Sequence, residues 1–175
     1  MRPQPNEAAD YYSGYINLVP DGDIIDILEK QLGETTSFLQ SISEEKSLQR
    51  YEQGKWSLRE LLNHVNDAER VFVFRALWFA RGFSEPLPSF DQEIGVKGAG
   101  ADQLSWAGLV DEFGAIRAAT VALFRTFSES TWDRTGIASD NPFTVRALAY
   151  IIAGHVIHHI NVIRDRYLAA AASHN

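Results

Sequence analysis

Residues 151–163, Ile151-Ile152-Ala153-Gly154-His155-Val156-Ile157-His158-His159-Ile160-Asn161-Val162-Ile163, form an apolar stretch with three imidazoles at its centre. At 100° per residue, one stripe of a helix over this stretch is expected to be buried; it consists of Ile152, His155, Val156, His159 and Ile163. His155 and His159 lie one turn apart on that stripe, the spacing with which H-E-x-x-H helices aim two ring nitrogens at one ion. His158 points about 100° away from His159.

Histidines on an apolar face also occur in protein cores, where each ring makes a satisfied hydrogen bond. Two imidazoles on one buried stripe would each need a partner, and few polar residues lie nearby in the sequence. The spacing alone therefore leaves two interpretations open, a metal site and a pair of core histidines. A third histidine in a suitable place would favour the metal.

Length and composition restrict the classes of protein to consider. The 175 residues suffice for one domain with a substantial core. The net charge is −7 and no segment concentrates Lys or Arg, which weighs against a nucleic-acid partner. The absence of cysteine excludes disulfides, thiolate metal sites and a cysteine nucleophile.

Neither a targeting segment nor a membrane span is visible in the sequence. Residues 1–13 are polar and contain proline, without the apolar core of a signal peptide. No apolar run approaches the ~20 residues that a membrane-spanning helix needs. We expect a cytoplasmic protein without a membrane segment.

Residues 1–20 are predicted to be an extended lead-in, and residues 21–170 a bundle domain. The lead-in contains Tyr11, Tyr12 and Tyr15, which we expect to pack it against the domain. The four tryptophans are expected to pack in the core or in an interface; they are Trp56, Trp78, Trp106 and Trp132. His174, in the C-terminal tail, is expected to be disordered.

Four long helices follow from apolar periodicity and from start and stop residues. The first is predicted from Asp21 or Asp23 to about residue 41, and the second over 58–81, with a capping box at Ser57 and Glu60. The third is predicted over 105–127, and the last from Asn141 or Thr144 to about residue 167. Strand patterns are almost absent, so we predict an all-α four-helix bundle.

Residues 83–104, between the second and third predicted helices, show no sustained periodicity and contain Pro86, Pro88 and three glycines. A loop of this length in a compact domain is unusual, and such loops are commonly functional or cross over the domain.

Two stretches together resemble the paired sequence signatures of the DinB-like (YfiT-like) superfamily of metalloenzymes. They are the run from Gly54-Lys55-Trp56-Ser57 through His64-Val65-Asn66-Asp67-Ala68-Glu69-Arg70, and Ala153-Gly154-His155-Val156-Ile157-His158-His159. Leu87-Pro88-Ser89-Phe90-Asp91-Gln92 and Arg117-Ala118-Ala119-Thr120 are similar to the same family. The resemblance extends over about residues 14–168.

The resemblance implies a four-helix bundle in up-down-down-up order. The long 83–104 segment fits this order independently, because parallel neighbouring helices need a crossover connection. The resemblance also implies a divalent metal, nickel or zinc, bound by one histidine of the second helix and an H-x-x-x-H pair of the last. These positions correspond to His64, His155 and His159.

Three neutral imidazoles leave one or more coordination positions open, which is typical of catalytic rather than structural metal sites. The resembled superfamily includes S-transferases and isomerases that use low-molecular-weight thiols. We therefore expect a small-molecule substrate and a metal-dependent S-transferase or isomerase with such a thiol as co-substrate. A metal-dependent hydrolase is the alternative, and a non-catalytic module stabilised by metal is another. Self-association as a homodimer is also expected, through helix faces rich in Phe72, Phe74 and Trp78.

Further polar residues are weaker candidates for the site. Asp67 could orient a ligand imidazole from another helix, or could be a solvated helix acid. Asp91, in the long loop, could reach the open coordination side. Glu69 and Arg70 are expected to form ion pairs on the helix surface, and His158 either lines the pocket mouth or caps a neighbouring loop.

Overall fold

A computed structural model describes residues 2–169, which form six α-helices and two short strands. The helices are α1 (Ser13–Leu18), α2 (Ile24–Gln40), α3 (Leu58–Ala80), α4 (Gln92–Ala99), α5 (Trp106–Phe124) and α6 (Val145–Val162), and the strands are β1 (Thr135–Ala138) and β2 (Asn141–Thr144). The chain is mostly helical, as the sequence predicts. His174 and the predicted end of the domain at residue 170 lie outside the described residues.

Side-chain caps determine where the four long helices begin. Asp23 accepts hydrogen bonds from two amides of the first turn of α2, and Ser57 and Glu60 form the predicted capping box of α3. Ser105 caps α5 and Thr144 caps α6 in the same way. Each cap is a residue at which the sequence predicts a helix start, and each cap contributes about 1 kcal/mol. After α6, residues Ile163–Leu168 continue as a π-helix.

The four long helices pack around one another, so that α3 contacts both α5 and α6, and α2 contacts the same two helices. Apolar side chains fill the centre, and those buried at one end of the bundle include Leu58, Leu62, Phe113 and Val156. Burying each such side chain contributes roughly 1.5–3 kcal/mol. The contact between α3 and α6 brings together the two helices that carry His64 and the H-x-x-x-H pair.

A buried polar network joins all four long helices. Arg117 of α5 donates two hydrogen bonds of 2.8 Å to the carboxylate of Glu69 of α3, which also accepts one from Thr120. The Oε1 of Gln31, in α2, accepts from Arg117 (2.6 Å), and its Nε2 donates to the carbonyl of Ala153 in α6 (3.0 Å). The prediction that Glu69 pairs on the helix surface is therefore wrong. Glu69 lies at the centre of the bundle.

The N-terminal segment is not the extended lead-in that the sequence predicts. Residues Ser13–Leu18 form α1, which packs against α6. Gly154 makes this contact possible, because a Cβ at this position would overlap the backbone carbonyl of Tyr15. Ile16 and Val19 are buried in the same core as α6, so the segment is an integral layer of the fold.

Two further segments differ from the prediction. The 83–104 connection contains α4, whose two glycines lower its helix propensity and obscure it in the sequence. Before α6, β1 and β2 pair as an antiparallel hairpin. Its turn residues Ser139 and Asp140 have φ of 50° and 59° without a glycine, and β2 contains Pro142, so the usual hairpin pattern is missing.

The aromatic residues proposed for a dimer contact lie in different environments. Phe72 is buried, whereas Phe74 is 50% exposed and packs near Trp78, which stacks on Phe83 with 4.0 Å between ring centroids. The homodimer predicted from Phe72, Phe74 and Trp78 stays a prediction, and of the apolar side chains in this region Phe74 and Phe83 are the exposed ones. Within residues 2–169, no helix combines the length and apolar character required to cross a bilayer.

Candidate metal centre

Helices α3 and α6 bring three histidines together near one end of the bundle. The Nε2 of His155 lies 3.1 Å from the Nε2 of His64 and 3.1 Å from the Nε2 of His159. One ligand atom from each ring lies within 4.8 Å of the other two, and this group could hold a metal ion. The one-turn spacing on α6 therefore produces the convergence that the sequence predicts.

The nitrogen separations fit a shared ion. Imidazole nitrogens 3.1 Å apart could both bind one ion at the usual metal–nitrogen distance of about 2.0–2.1 Å. Hydrogen bonds alone satisfy the cluster poorly, because the one lone pair of a neutral His155 Nε2 cannot accept a proton from both neighbours. A cation at the shared position would satisfy all three nitrogens.

The three imidazoles are neutral near pH 7, which is the form that binds metal. Burial lowers the pKa of His64 to about 4, and burial, with the neighbouring imidazoles, lowers the pKa of His159 to about 3. Burial also holds the pKa of His155 well below its ordinary value, and the other histidines of the cluster lower it further. No proton therefore has to be removed from these rings before a metal binds at neutral pH.

Aromatic side chains surround the cluster. The ring of Trp56 packs against His64 with 5.0 Å between centroids, and Tyr15 lies edge-on to His155 at 5.4 Å. The Nδ1 atoms of His64 and His159 are buried without a hydrogen-bond partner among the described residues. Such partners commonly orient metal-binding imidazoles. In this protein, packing of Trp56 against His64 and of Tyr15 against His155 contributes to the orientation of the imidazoles.

A cavity of about 220 Å³ opens beside His64 and His155. One face of α3 forms its floor, with His64, Ala68, Val71, Phe72 and Arg75. Its other walls are Tyr11, Tyr12, Tyr15, Phe90, Gln92, Ser139 and His155. Among these lining residues there is no Asp or Glu, so Arg75 is the one permanently charged side chain in the wall.

The weaker candidates lie away from the imidazoles. Asp67 accepts a hydrogen bond from Asn63 (2.8 Å) and pairs with Arg70, and burial raises the pKa of its carboxyl. Asp91 is exposed and caps α4 through the amides that follow it, so it does not reach the cluster. His158 packs edge-on against Tyr15 at 5.4 Å, outside the group of three. Arg70 forms the predicted exposed ion pairs.

The sequence prediction missed most of the cavity wall. The sequence predicts packing roles for Tyr15 and Trp56, yet both contact the histidine cluster. The sequence signal for Arg75 is a charged residue between Phe72 and Ala76 on the buried stripe of α3. Such a residue needs a partner or a function when it is buried.

The fold and the cluster define a helical-bundle protein whose histidines could bind a metal ion. Residues 27–163 match the family model described as the DinB superfamily, and the chain belongs to that family. The family resemblance predicted from the sequence is confirmed. No curated protein matches the chain.

Two solved structures share this fold. One is YfiT from Bacillus subtilis, described as a probable metal-dependent hydrolase with an unusual four-helix bundle topology; it is 15% identical, with a TM-score of 0.74, over 98% of this chain and 94% of that chain. The other is a variant of the mycothiol-dependent maleylpyruvate isomerase, 13% identical, with a TM-score of 0.67, over 83% of this chain and 61% of that one. At these identities the similarity shows the fold alone.

Proposed function

We propose that this protein is a metal-dependent enzyme in which His64, His155 and His159 hold one divalent ion, nickel or zinc. One observation carries the proposal: the neutral imidazoles of buried His64 and His155 and of half-buried His159 converge through their Nε2 atoms, and the first two line a cavity. Three protein ligands leave positions open towards that cavity, the pattern of a catalytic site.

We propose that the reaction is a transfer or isomerisation that uses a low-molecular-weight thiol. A divalent ion at this site would lower the pKa of a bound thiol towards neutrality and would polarise a carbonyl. The thiol has to come from outside, since the chain has no cysteine. The structural similarity to a mycothiol-dependent isomerase supports this choice of co-substrate.

The residues around the cavity would bind and orient the substrate and exclude water. Phe72 and Trp56 pack against the imidazoles and restrict the access of solvent to them. Burial raises the pKa of Tyr12 and that of Tyr15, so both phenols keep their protons at neutral pH. Their hydroxyl groups can therefore donate hydrogen bonds to oxygen atoms of a substrate.

Metal-dependent hydrolysis is the second candidate, favoured by the similarity to YfiT, a probable metal-dependent hydrolase. Hydrolytic metal sites commonly place a carboxylate where it accepts the proton of the attacking water. The cavity wall formed by the described residues contains no carboxylate. A thiol that has lost its proton before the substrate binds needs no such base, and for this reason the thiol reaction is our first choice.

We also propose the up-down-down-up order for the bundle. Arg59, near the start of α3, donates a hydrogen bond to the carbonyl of Leu104, just before α5, so these two helices begin at the same end. Arg125, just after α5, pairs with Glu29 near the start of α2 at 2.6 Å, which fits antiparallel packing of those helices. The segment with α4 would then be the crossover.

The proposal can be tested with metal analysis followed by turnover assays. Alanine at His64, His155 or His159 should strongly lower the metal content of purified protein. His158→Ala is the matched control, since it removes a neighbouring imidazole outside the cluster and should retain the metal. Full metal content in both the His155 and His159 variants would overturn the site.

Turnover is then measured with metal-loaded protein, a reactive electrophile, and bacillithiol, mycothiol or glutathione. We expect thiol consumption above that of His155→Ala with at least one thiol. Rates equal to those of the variant with all three thiols would reject the thiol reaction. Ester or amide hydrolysis without thiol would then support the hydrolase.

A further inference from the structure

Arg75 lies at the opposite end of the cavity floor from His64. The two residues are 11 positions apart on α3, which places them within about 20° of each other around the helix and roughly 16 Å apart along it. Both line the cavity, with Ala68 and Phe72 between them. A molecule in the cavity would therefore meet imidazoles at one end and a guanidinium at the other.

The guanidinium is buried without a counter-ion. Arg75 is 4% exposed, and within residues 2–169 no carboxylate lies within ion-pair distance of it. Its two hydrogen bonds both leave from Nη2, to the carbonyl of Pro88 (3.2 Å) and to the Oγ of Ser139 (2.9 Å). Nε and Nη1 donate no further hydrogen bond within the described residues. The phenol of Tyr12 lies close enough to oppose the lowering of the Arg75 pKa, but it is neutral and carries no compensating charge.

This differs from the other buried arginines. Arg117 is bidentate with Glu69, and Arg59 pairs with Glu44. A buried charge without a partner costs several kcal/mol, and proteins usually supply a partner or lower the charge. Burial does lower the pKa of Arg75, and the only neighbouring group that opposes this effect is the Tyr12 phenol. An anion in the cavity would supply the missing partner.

The hairpin turn that contacts Arg75 includes one strained residue that lines the same cavity. Ser139 has a φ of 50°, a region that residues other than Gly, Asn and Asp seldom adopt. The Ser139 side chain accepts the hydrogen bond from Arg75 and lines the cavity. Because such strain commonly persists where a site requires it, the turn supports a binding role for this end of the cavity.

We propose that Arg75 is a carboxylate-binding subsite, and that the substrate is a small organic anion whose carboxylate pairs with Arg75 while its reacting group faces the three histidines. Nη2 is engaged by Pro88 and Ser139, whereas Nε and Nη1 are free to donate a charge-assisted hydrogen bond to a carboxylate. No acidic residue lines the cavity wall to compete for these groups. The inference rests on the proposed metal-dependent function and specifies its substrate class.

Benzoate and the uncharged benzamide, which have similar shapes, test the subsite in the full-length, metal-loaded protein. Calorimetric titration should show that benzoate binds at least about tenfold more tightly than benzamide, because its hydrogen bonds to Arg75 are charge-assisted. Arg75→Met should lose about tenfold or more in benzoate affinity with little change for benzamide. Ser139→Ala is the control, since it removes a hydrogen-bond partner of Arg75 but leaves the charge of Arg75 in place. This variant should keep most of the preference for benzoate over benzamide.

Two results would overturn the subsite: equal affinity of the unmodified protein for benzoate and benzamide, or unchanged benzoate affinity in Arg75→Met. The second result would mean that the metal alone binds the anion. If Arg75→Met does not fold, Arg75→Gln decides, since it removes the charge but keeps a hydrogen-bonding group. Benzoate affinity should then fall about tenfold, and unchanged affinity overturns the proposal. Metal content is measured in every variant, so failure of the subsite is distinguished from failure of the metal site.

Discussion

The carboxylate of Glu69 accepts two hydrogen bonds of 2.8 Å from the guanidinium of Arg117, and both side chains are almost completely buried. Glu69 lies five residues after His64 on α3, and Gln31 connects the same guanidinium to Ala153, two residues before His155. The pair therefore ties the two ligand helices to α2 and α5. Its geometry constrains the relative positions of α3 and α6 on which the histidine cluster depends.

Replacing Glu69 with Gln should destabilise the protein strongly. The substitution leaves the Arg117 charge buried without compensation, which costs about 3–5 kcal/mol. Denaturant unfolding should show this as a lower midpoint. Glu112→Gln is the matched control, because Glu112 pairs with the half-exposed Arg70. This substitution should lower the free energy of unfolding by at most about 1 kcal/mol. Equal losses for the two variants would contradict a central role for the buried pair.

Removing the metal should lower the melting temperature without unfolding the chain. The imidazoles would lose the partner of their Nε2 atoms, at about 1–3 kcal/mol for each unsatisfied group. The apolar core remains, so helical circular dichroism should persist after chelation at room temperature. Complete unfolding by the chelator would instead indicate a structural metal, as in zinc fingers.

Acid should destabilise the metal-free protein before most carboxylates titrate. The folded-state pKa is about 4 for His64 and about 3 for His159, against about 6.5 in the unfolded chain. Between these values the unfolded chain binds protons that the folded chain does not, so stability is lost as pH falls from about 6.5 towards 4. Urea unfolding at several pH values measures the slope. If His64→Asn showed the same dependence of unfolding free energy on pH, His64 would not contribute to the loss of stability in acid.

The exposed aromatic face provides a test of self-association. If the face of Phe74, Trp78 and Phe83 packs against the same face of a second copy, light scattering should give twice the 19.6 kDa chain mass. Phe74→Asp should then yield monomers. Leu48→Asp introduces the same charge at a comparably exposed apolar residue in another segment, and should leave the dimer intact. A monomeric unmodified protein would reject the dimer.

Local sequence patterns predict much of the fold and the one-turn spacing of His155 and His159. Ser57 with Glu60, and Ser105 and Thr144, cap helices through contacts within three residues, so their effect can be predicted without the tertiary structure. The separation of His155 and His159 depends only on helix geometry. The position of His64 opposite them came from the family resemblance.

The features that were missed depend on contacts between distant residues. Arg75 meets Ser139 across 64 positions and Tyr15 meets His155 across 140, and no local pattern records such pairs. The hairpin was missed because Ser139 and Asp140 replace the usual glycine-containing turn. Tertiary contacts with α3 and the loop before α4 hold that turn in place.

The contact at Gly154 fixes where α1 crosses α6. Position 154 admits only a hydrogen atom as its side chain, because the Tyr15 carbonyl occupies the place of a Cβ. A related chain with a larger residue here would have to cross its first helix at another point, and would carry a differently shaped wall beside the H-x-x-x-H pair. The residue that precedes the first histidine of that pair can therefore serve as a marker for sorting relatives by the shape of this wall.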